Sequence, residues 1–232
     1  MTIGDMAYGL MRAILWCLTH LVCRYRVSGR QHVPRTGSLL VVVNHLSWYD
    51  PLLLGVVLRR RVWFFTKQEI FRWPFVGGLC QLTGQIPVKR GQSDRAALER
   101  ALAYLRQGRA VMIFPEGTVE RQEQMLPART GAAMLALHSR ATVLPIAHTG
   151  TRRVLRSFRF QRPQVRIEIG EPFTPQLPAH ISRKAALRAI TREIMQHIAA
   201  LLPPEVRGAY ATDATPASQE ITSLPETPKD RD

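Results

Sequence analysis

Residues 39–43 read Leu-Leu-Val-Val-Val, apolar at every position, and the next seven residues are Asn-His-Leu-Ser-Trp-Tyr-Asp. An apolar, β-branched run that ends abruptly in polar residues reads as a strand buried in a sheet. His45 then emerges where the strand ends, at the rim where open α/β sheets place their sites. Asp50 is followed by Pro51 and Leu52-Leu53-Leu54. Aspartate is a preferred N-cap and proline a preferred first helical residue, so the chain turns from strand into helix here, with Asp50 as the cap. The same turn folds Asp50 back towards His45. A carboxylate on one imidazole nitrogen fixes the tautomer and leaves the other to take a proton from an alcohol. Such a base contributes about 10²–10⁴ in rate. Taken alone, the seven residues serve equally well as a helix cap beside a structural histidine.

Further strands are expected near 24–29, 62–66, 84–88, 110–114, 142–148 and 164–170, separated by helical stretches. That alternation predicts a single α/β domain with a mixed, largely parallel sheet flanked by helices. The clearest helix starts at Ser93 or Asp94 and ends at Gln107, with Leu98, Ala101, Leu102 and Leu105 on one stripe and Gly108 as the stop. A second spans 182–202 and ends at Pro203-Pro204. Beyond it the chain turns to Pro, Thr, Ser, Ala and acidic residues, which predicts a disordered tail over 203–232. The reading therefore divides the chain into an N-terminal segment, 1–23, a domain, 24–202, and the tail.

Three more blocks bear on the heptapeptide. Gly84-Gln85-Ile86-Pro87-Val88-Lys89-Arg90 ends a short strand in an arginine, and Phe114-Pro115-Glu116-Gly117-Thr118 follows the apolar run 110–113. Leu126-Pro127-Ala128-Arg129-Thr130-Gly131 brings a further arginine near a glycine, and Val143-Leu144-Pro145-Ile146-Ala147 is an apolar strand with an internal proline. In this order and spacing the blocks resemble the glycerolipid acyltransferases, the family that includes lysophosphatidate acyltransferase, over roughly 25–170. The sequence departs from the family at Val119-Glu120-Arg121, where many members continue with Arg-Ser.

The resemblance implies a glycerol-3-phosphate acyltransferase-like fold and transfer of an acyl group from acyl-CoA or acyl carrier protein to lysophosphatidate. Acceptors such as glycerol 3-phosphate, lysophospholipids and amino-acid lipids remain as alternatives. It makes His45 the base and Asp50 its orienting carboxylate. Arg90, Glu116, Gly117, Thr118 and Arg129 are implied to hold the acceptor, and Pro145 to line the acyl pocket. Guanidinium groups suit a phosphate because they present a planar, permanently charged fork of donors. Neither cofactor nor metal is expected. Ser47, Cys80 and Thr118 lack a spacing that pairs them with a base, so direct transfer is simpler than a covalent intermediate. The three cysteines show no disulfide framework and no metal-ligand spacing, which fits a reduced cytoplasmic compartment.

From Met6 to Val22 the chain is mostly apolar, but Asp5, Arg12 and Thr19 recur every seven residues along one stripe. A central arginine costs a spanning helix roughly 2.5–3.5 kcal/mol, which an amphipathic helix lying in the membrane interface avoids. A helix packed on the domain's own core would show the same apolar face. The formal net charge is +15, and residues 151–162 carry five arginines among aromatics. Each basic residue near an anionic leaflet contributes about 1 kcal/mol, so this loop is expected on the membrane with Phe158 and Phe160 at headgroup depth. A second apolar patch, Ile70 to Val76, reads as a lipid contact or a buried turn. The expected location is the cytoplasmic face of a membrane, peripheral or monotopic. The same basic balance fits a nucleic-acid-binding module, but no nucleic-acid motif is present and that reading leaves His45, Asp50, Arg90 and Glu116 unexplained. No nucleic-acid partner is therefore expected.

Overall fold

A computed structural model describes residues 3–89, 94–119, 124–156, 162–176 and 181–211. Seven strands, β1 (Arg24–Ser28), β2 (Leu39–Val43), β3 (Val62–Lys67), β4 (Ile86–Val88), β5 (Ala110–Ile113), β6 (Thr142–Thr149) and β7 (Gln164–Ile169), form one sheet in the order β1-β7-β6-β2-β5-β3-β4. Every neighbouring pair is parallel except β6 and β7. All seven expected strands are present, shifted by one or two residues at their ends. The sheet is mixed and largely parallel, as the alternation predicted.

The helices are α1 (Ile3–Val22), α2 (Asp50–Val57), α3 (Val76–Leu82), α4 (Arg95–Arg106), α5 (Gly131–Ser139), α6 (Thr151–Arg156) and α7 (Arg183–Ala200). Every residue of β2 is buried, because Leu40 and Val42 pack under α4, α5 and α7 while Leu39, Val41 and Val43 pack under α2. Each such side chain removed from water contributes about 1.5–3 kcal/mol. Helix α4 starts where Asp94 caps it, accepting from the Ala97 amide at 3.0 Å, and Ser182 caps α7 in the same way. Two short helices were not anticipated. Residues 76–82 carry two glycines and too few turns for a legible periodicity, and 151–156 had been read as loop.

The expected tail boundary at 203 is corrected. Residues 203–211 fold back through two 3₁₀ turns whose Val206 and Tyr210 pack on the α7 side of the core. Met125 donates to the Val206 carbonyl at 3.1 Å, and Tyr210 Oη accepts from the Ala128 amide at 3.0 Å. Proline-rich composition hid this segment, because its anchoring comes from a distant loop and not from local periodicity.

Helix α1 lies on α2 with its polar stripe turned inward. Asp5 pairs with Arg61, whose guanidinium also lies over the rings of Tyr8 and Trp63, 5.3 and 4.6 Å from their centroids. Arg12 donates to the Val56 carbonyl at 3.1 Å, and Thr19 shares a 2.5 Å hydrogen bond with the Tyr49 hydroxyl. The opposite face carries Met6, Leu10, Ile14, Leu18, Leu21 and Val22, with Leu10 65% and Leu21 72% exposed. Among the described residues no helix is long and apolar enough to cross a membrane.

Candidate active site

β2, β5 and β6 end side by side. The parallel register that sets Val43 opposite Ile146, continued past the strand end, brings Asn44 and His45 beside Ala147 and His148. The turn 46–49 then returns the chain so that α2 begins at Asp50, with Tyr49 at its cap position. Asp50 therefore does not cap α2 as expected. Its carboxylate points back into the turn, where Oδ2 accepts from the amides of Leu46 and Ser47, each at 2.8 Å, and lies 3.0 Å from His45 Nδ1. Both side chains are buried, His45 with 4% exposure and Asp50 with none. Burial pushes the Asp50 carboxyl up, but the neighbouring imidazoles of His148 and His45 outweigh it and hold the group below its ordinary range.

With Nδ1 committed to the carboxylate, Nε2 is the His45 nitrogen that can receive a proton. The Phe114 ring stacks on the imidazole with centroids 4.0 Å apart and planes inclined by 21°. It fixes the ring plane and keeps water from one face. Ser47, a residue of the nucleophile type, is buried, and its Oγ accepts from the Tyr49 amide at 3.3 Å. It shapes the turn and does not address the imidazole.

Glu116 was expected to hold the acceptor. It is buried, with Oε1 accepting from the His45 amide at 3.1 Å and Oε2 from the Leu126 amide at 3.2 Å. It ties the end of β2 to the loop that carries Arg129. Gly117 has φ 69° and is exposed with Thr118 beside it. A side chain at Gly117 would meet Arg129 Cδ and Nε at 3.2 Å, so the left-handed glycine leaves room for the arginine to lie across it. The Arg129 amide donates to the Pro115 carbonyl at 2.9 Å. Arg129, Gly117 and Thr118 thus share the open edge of the site, within the loop system that His45 and Glu116 anchor.

Pro145 is buried in β6 beside Gly170, three residues short of the rim. Arg90, Phe158 and Phe160 lie outside the described residues, so the arginine of the second block and the membrane loop have no geometry here. Within that loop 151–156 is helix α6, with Thr151 and Val154 buried. Three participants were missed in the sequence. Phe114 was quoted only as the start of its motif. Asn44 and His148 lock the strand ends together: Asn44 Nδ2 donates to the His148 carbonyl at 3.0 Å, and the His148 amide donates to Asn44 Oδ1 at 2.9 Å. The available signal was the polar pair, Asn-His and His-Thr, at the ends of two strands expected to be buried.

Exposed aromatic residues cluster in two further places. Trp48 stands 64% exposed in the Leu46–Tyr49 turn, whose other side chains are buried. Trp73 is 59% and Phe75 95% exposed, and Phe75 holds φ 59°, a conformation that a bulky side chain adopts only under strain.

Comparison with known proteins supplies independent findings. The family model named Acyltransferase matches residues 24–149. The chain is 27% identical to the 1-acyl-sn-glycerol-3-phosphate acyltransferase of Bacillus subtilis over 174 residues, which covers 75% of this chain and 85% of that one. It is 34% identical to the lyso-ornithine lipid O-acyltransferase of Pseudomonas aeruginosa over 141 residues, 59% of this chain and 53% of the other. The match to its Rhodobacter capsulatus counterpart is 36% identical and covers 49% and 40%. Against these two the chain spans about half the relative's length or less. The crystal structure of the 1-acyl-sn-glycerophosphate (LPA) acyltransferase PlsC from Thermotoga maritima superimposes with a TM-score of 0.68 at 20% identity, over 97% of this chain and 83% of that one, which shows the shared fold.

Proposed function

The chain belongs to the acyltransferase family, whose model spans its residues 24–149, and from that membership we propose that it converts lysophosphatidate to phosphatidate, taking the acyl group from acyl-CoA or acyl carrier protein. The observation that carries the reading is the buried His45–Asp50 pair, 3.0 Å apart at the strand rim with Phe114 stacked on the imidazole. His45 Nε2 takes the proton of the acceptor hydroxyl as its oxygen attacks the thioester carbonyl. The carbon–sulfur bond breaks as the ester forms, and the imidazolium returns its proton to the departing thiolate. Asp50 stays a carboxylate throughout and stabilises the charged ring. Every bond and proton is accounted for by donor, acceptor and imidazole, so the reaction is proposed to need no cofactor beyond the acyl donor.

Arg129, laid over Gly117 at the open edge, is assigned to the acceptor phosphate, with Arg90 as a second ligand by family resemblance. Glu116 supports the site by fixing the His45 amide. The outer face of α1, together with Trp73 and Phe75, is assigned to the lipid surface, because large exposed apolar side chains mark a contact site. Its inward polar stripe leaves the apolar face for the acyl boundary of a leaflet. The enzyme is accordingly proposed to be a peripheral or monotopic protein at the cytoplasmic face of an anionic membrane, supported by the exposed apolar face of α1.

A second acceptor is favoured by a specific observation, since two relatives at 34% and 36% identity are lyso-ornithine lipid O-acyltransferases. Thiol release from palmitoyl-CoA, measured with lysophosphatidate, lyso-ornithine lipid, glycerol 3-phosphate and lysophosphatidylcholine in separate reactions, decides between them. His45→Ala is the blank. Release with lysophosphatidate alone upholds the proposal, and release with lyso-ornithine lipid alone replaces the acceptor while keeping the chemistry.

A further inference from the structure

One titratable side chain in the buried network has no part in the transfer described above. His148 ends β6 with its side chain fully buried. Its Nε2 lies 2.9 Å from the Asn44 carbonyl oxygen and 3.4 Å from Asp50 Oδ2, the oxygen that already receives His45 and two backbone amides. Asp50 Oδ1 has no hydrogen-bond partner among the described residues, so the donors converge on a single oxygen. Because both neighbours of His148 Nε2 are acceptors, that nitrogen carries hydrogen in either charge state. Nδ1 faces the Thr151 hydroxyl at 3.4 Å, a group able to donate or accept. The ring can therefore gain and lose a proton at Nδ1 while its contacts at Nε2 stay in place.

We propose that His148 is a positioning residue of the His45–Asp50 pair: a second imidazole on the same carboxylate oxygen, which holds Asp50 in register and shares its negative charge. This inference rests on the reading of His45 as the base. Among the described residues, the charged groups acting on His148 are Asp50 at the start of α2 and Glu116 after β5, and His45 at the end of β2 shares the same Asp50 oxygen. Burial opposes protonation of His148, but Asp50 and then Glu116 outweigh it and favour the imidazolium. An imidazolium on Asp50 Oδ2 draws on the charge that would otherwise stabilise a protonated His45. Loss of that imidazolium leaves the whole Asp50 charge to His45, a change that the acidic limb of the activity profile reads. The two strand ends are held by main-chain bonds as well, because Asn44 grips the His148 main chain.

The test is the pH dependence of kcat and the acceptor KM for the wild type, His148→Gln and His148→Leu, with His45→Ala as control and melting temperatures recorded for each. Glutamine keeps a donor and loses the titration. His148→Gln should retain kcat on the plateau to within about tenfold and move the acidic limb up by about 0.5–1 pH unit, with acceptor KM unchanged. His148→Leu should lose more than about tenfold in kcat, again without a change in KM. A limb in His148→Gln that superimposes on the wild type overturns the proposal, whether kcat is full or has fallen together with the melting temperature. If His45→Ala stays active, the base assignment fails first, and the two failures are thereby distinguished.

Discussion

The strand rim buries polar side chains, while α1 exposes apolar ones, and both regions invert the usual partition of residues between interior and surface. At the rim, Asn44, His45, Ser47, Asp50, Glu116 and His148 are all buried. Along α1, Met6, Leu10, Ile14, Leu18 and Leu21 face outward while Asp5, Arg12 and Thr19 face the domain. A buried polar group costs stability unless every contact is made, and an exposed apolar face costs solubility unless something covers it. The rim makes most of its contacts inside the molecule, one residue answering another, with Asp50 Oδ1 left over among the described residues. The outer face of α1 is left exposed among the described residues, and the proposed function gives its contacts to lipid. The first inversion is what a reaction needs, and the second is what an encounter with lipid needs.

The sharpest way to break this comparison is at the His45–Asp50 pair, the proposed base and its carboxylate. His45→Ala should lower kcat by about 10²–10⁴ while the melting temperature stays nearly unchanged. Near-normal turnover would reduce the rim to a structural network. Asp50→Asn should also lose orders of magnitude in turnover. Asp50 also gives the rim a pH signature. Its folded value is depressed, so its contribution to stability is present above its unfolded value of about 3.9 and lost as pH falls through the lower folded value. His148 is raised, so its contribution is present below about 6.5 and lost as pH rises through the higher folded value. The melting-temperature gap between wild type and Asp50→Asn should therefore be widest between about pH 4 and 6.5. A gap that is flat with pH would remove both ionic assignments.

Glu116→Ala comes next in size. It deprives the His45 and Leu126 amides of their acceptor, and a buried donor left unsatisfied costs about 1–3 kcal/mol. Stability and activity should fall together, with Glu116→Gln restoring most of the melting temperature. A stable Glu116→Ala that shows only a raised acceptor KM would return the residue to direct substrate binding. At α1 the opposite pattern is expected. Leu10→Ser with Leu18→Ser should leave melting within about 0.5 kcal/mol, as for most surface substitutions. Sedimentation with anionic vesicles should weaken by about tenfold or more, since burying one leucine contributes about 1.5–3 kcal/mol. Unaltered vesicle binding would show that the outer face of α1 is not the lipid contact.

How far each region was legible follows from the range of the interactions that build it. β2 and the Asn44–Asp50 turn were legible because strand, turn and helix start lie within one short stretch, and the placement of Asp50 against His45 followed from that local geometry. The contacts of Glu116 with the His45 and Leu126 amides were not, since those amides lie 71 and 10 residues away and a carboxylate beside a glycine suits a ligand equally well. His148 was hidden for the same reason: its meaning comes from β6 lying beside β2, which periodicity does not specify. On α1 the seven-residue stripe was visible. Its direction was not, because Arg61, Val56 and Tyr49, which turn the stripe inward, come from other elements.

The smallest predicted effect lies where the two regions meet. The Thr19 hydroxyl on α1 and the Tyr49 hydroxyl, one residue before Asp50, share a buried 2.5 Å hydrogen bond. Burial pushes the Tyr49 phenol up to about 12, so the bond does not titrate over any working pH. Thr19→Val or Tyr49→Phe alone should each cost about 1 kcal/mol, more if the remaining hydroxyl is left buried without a partner, or a fall of about 2–4 °C in melting temperature for a chain of this size. The double variant should cost less than the sum, because both members of the pair leave together. The informative quantity is the same cycle measured on kcat with vesicles present and absent. A coupling that exists in stability but not in kcat makes the bond a simple staple between α1 and the turn. If it is present in kcat only with vesicles, docking of the apolar face on lipid is transmitted to the turn that carries Asp50, and the two inversions belong to one device.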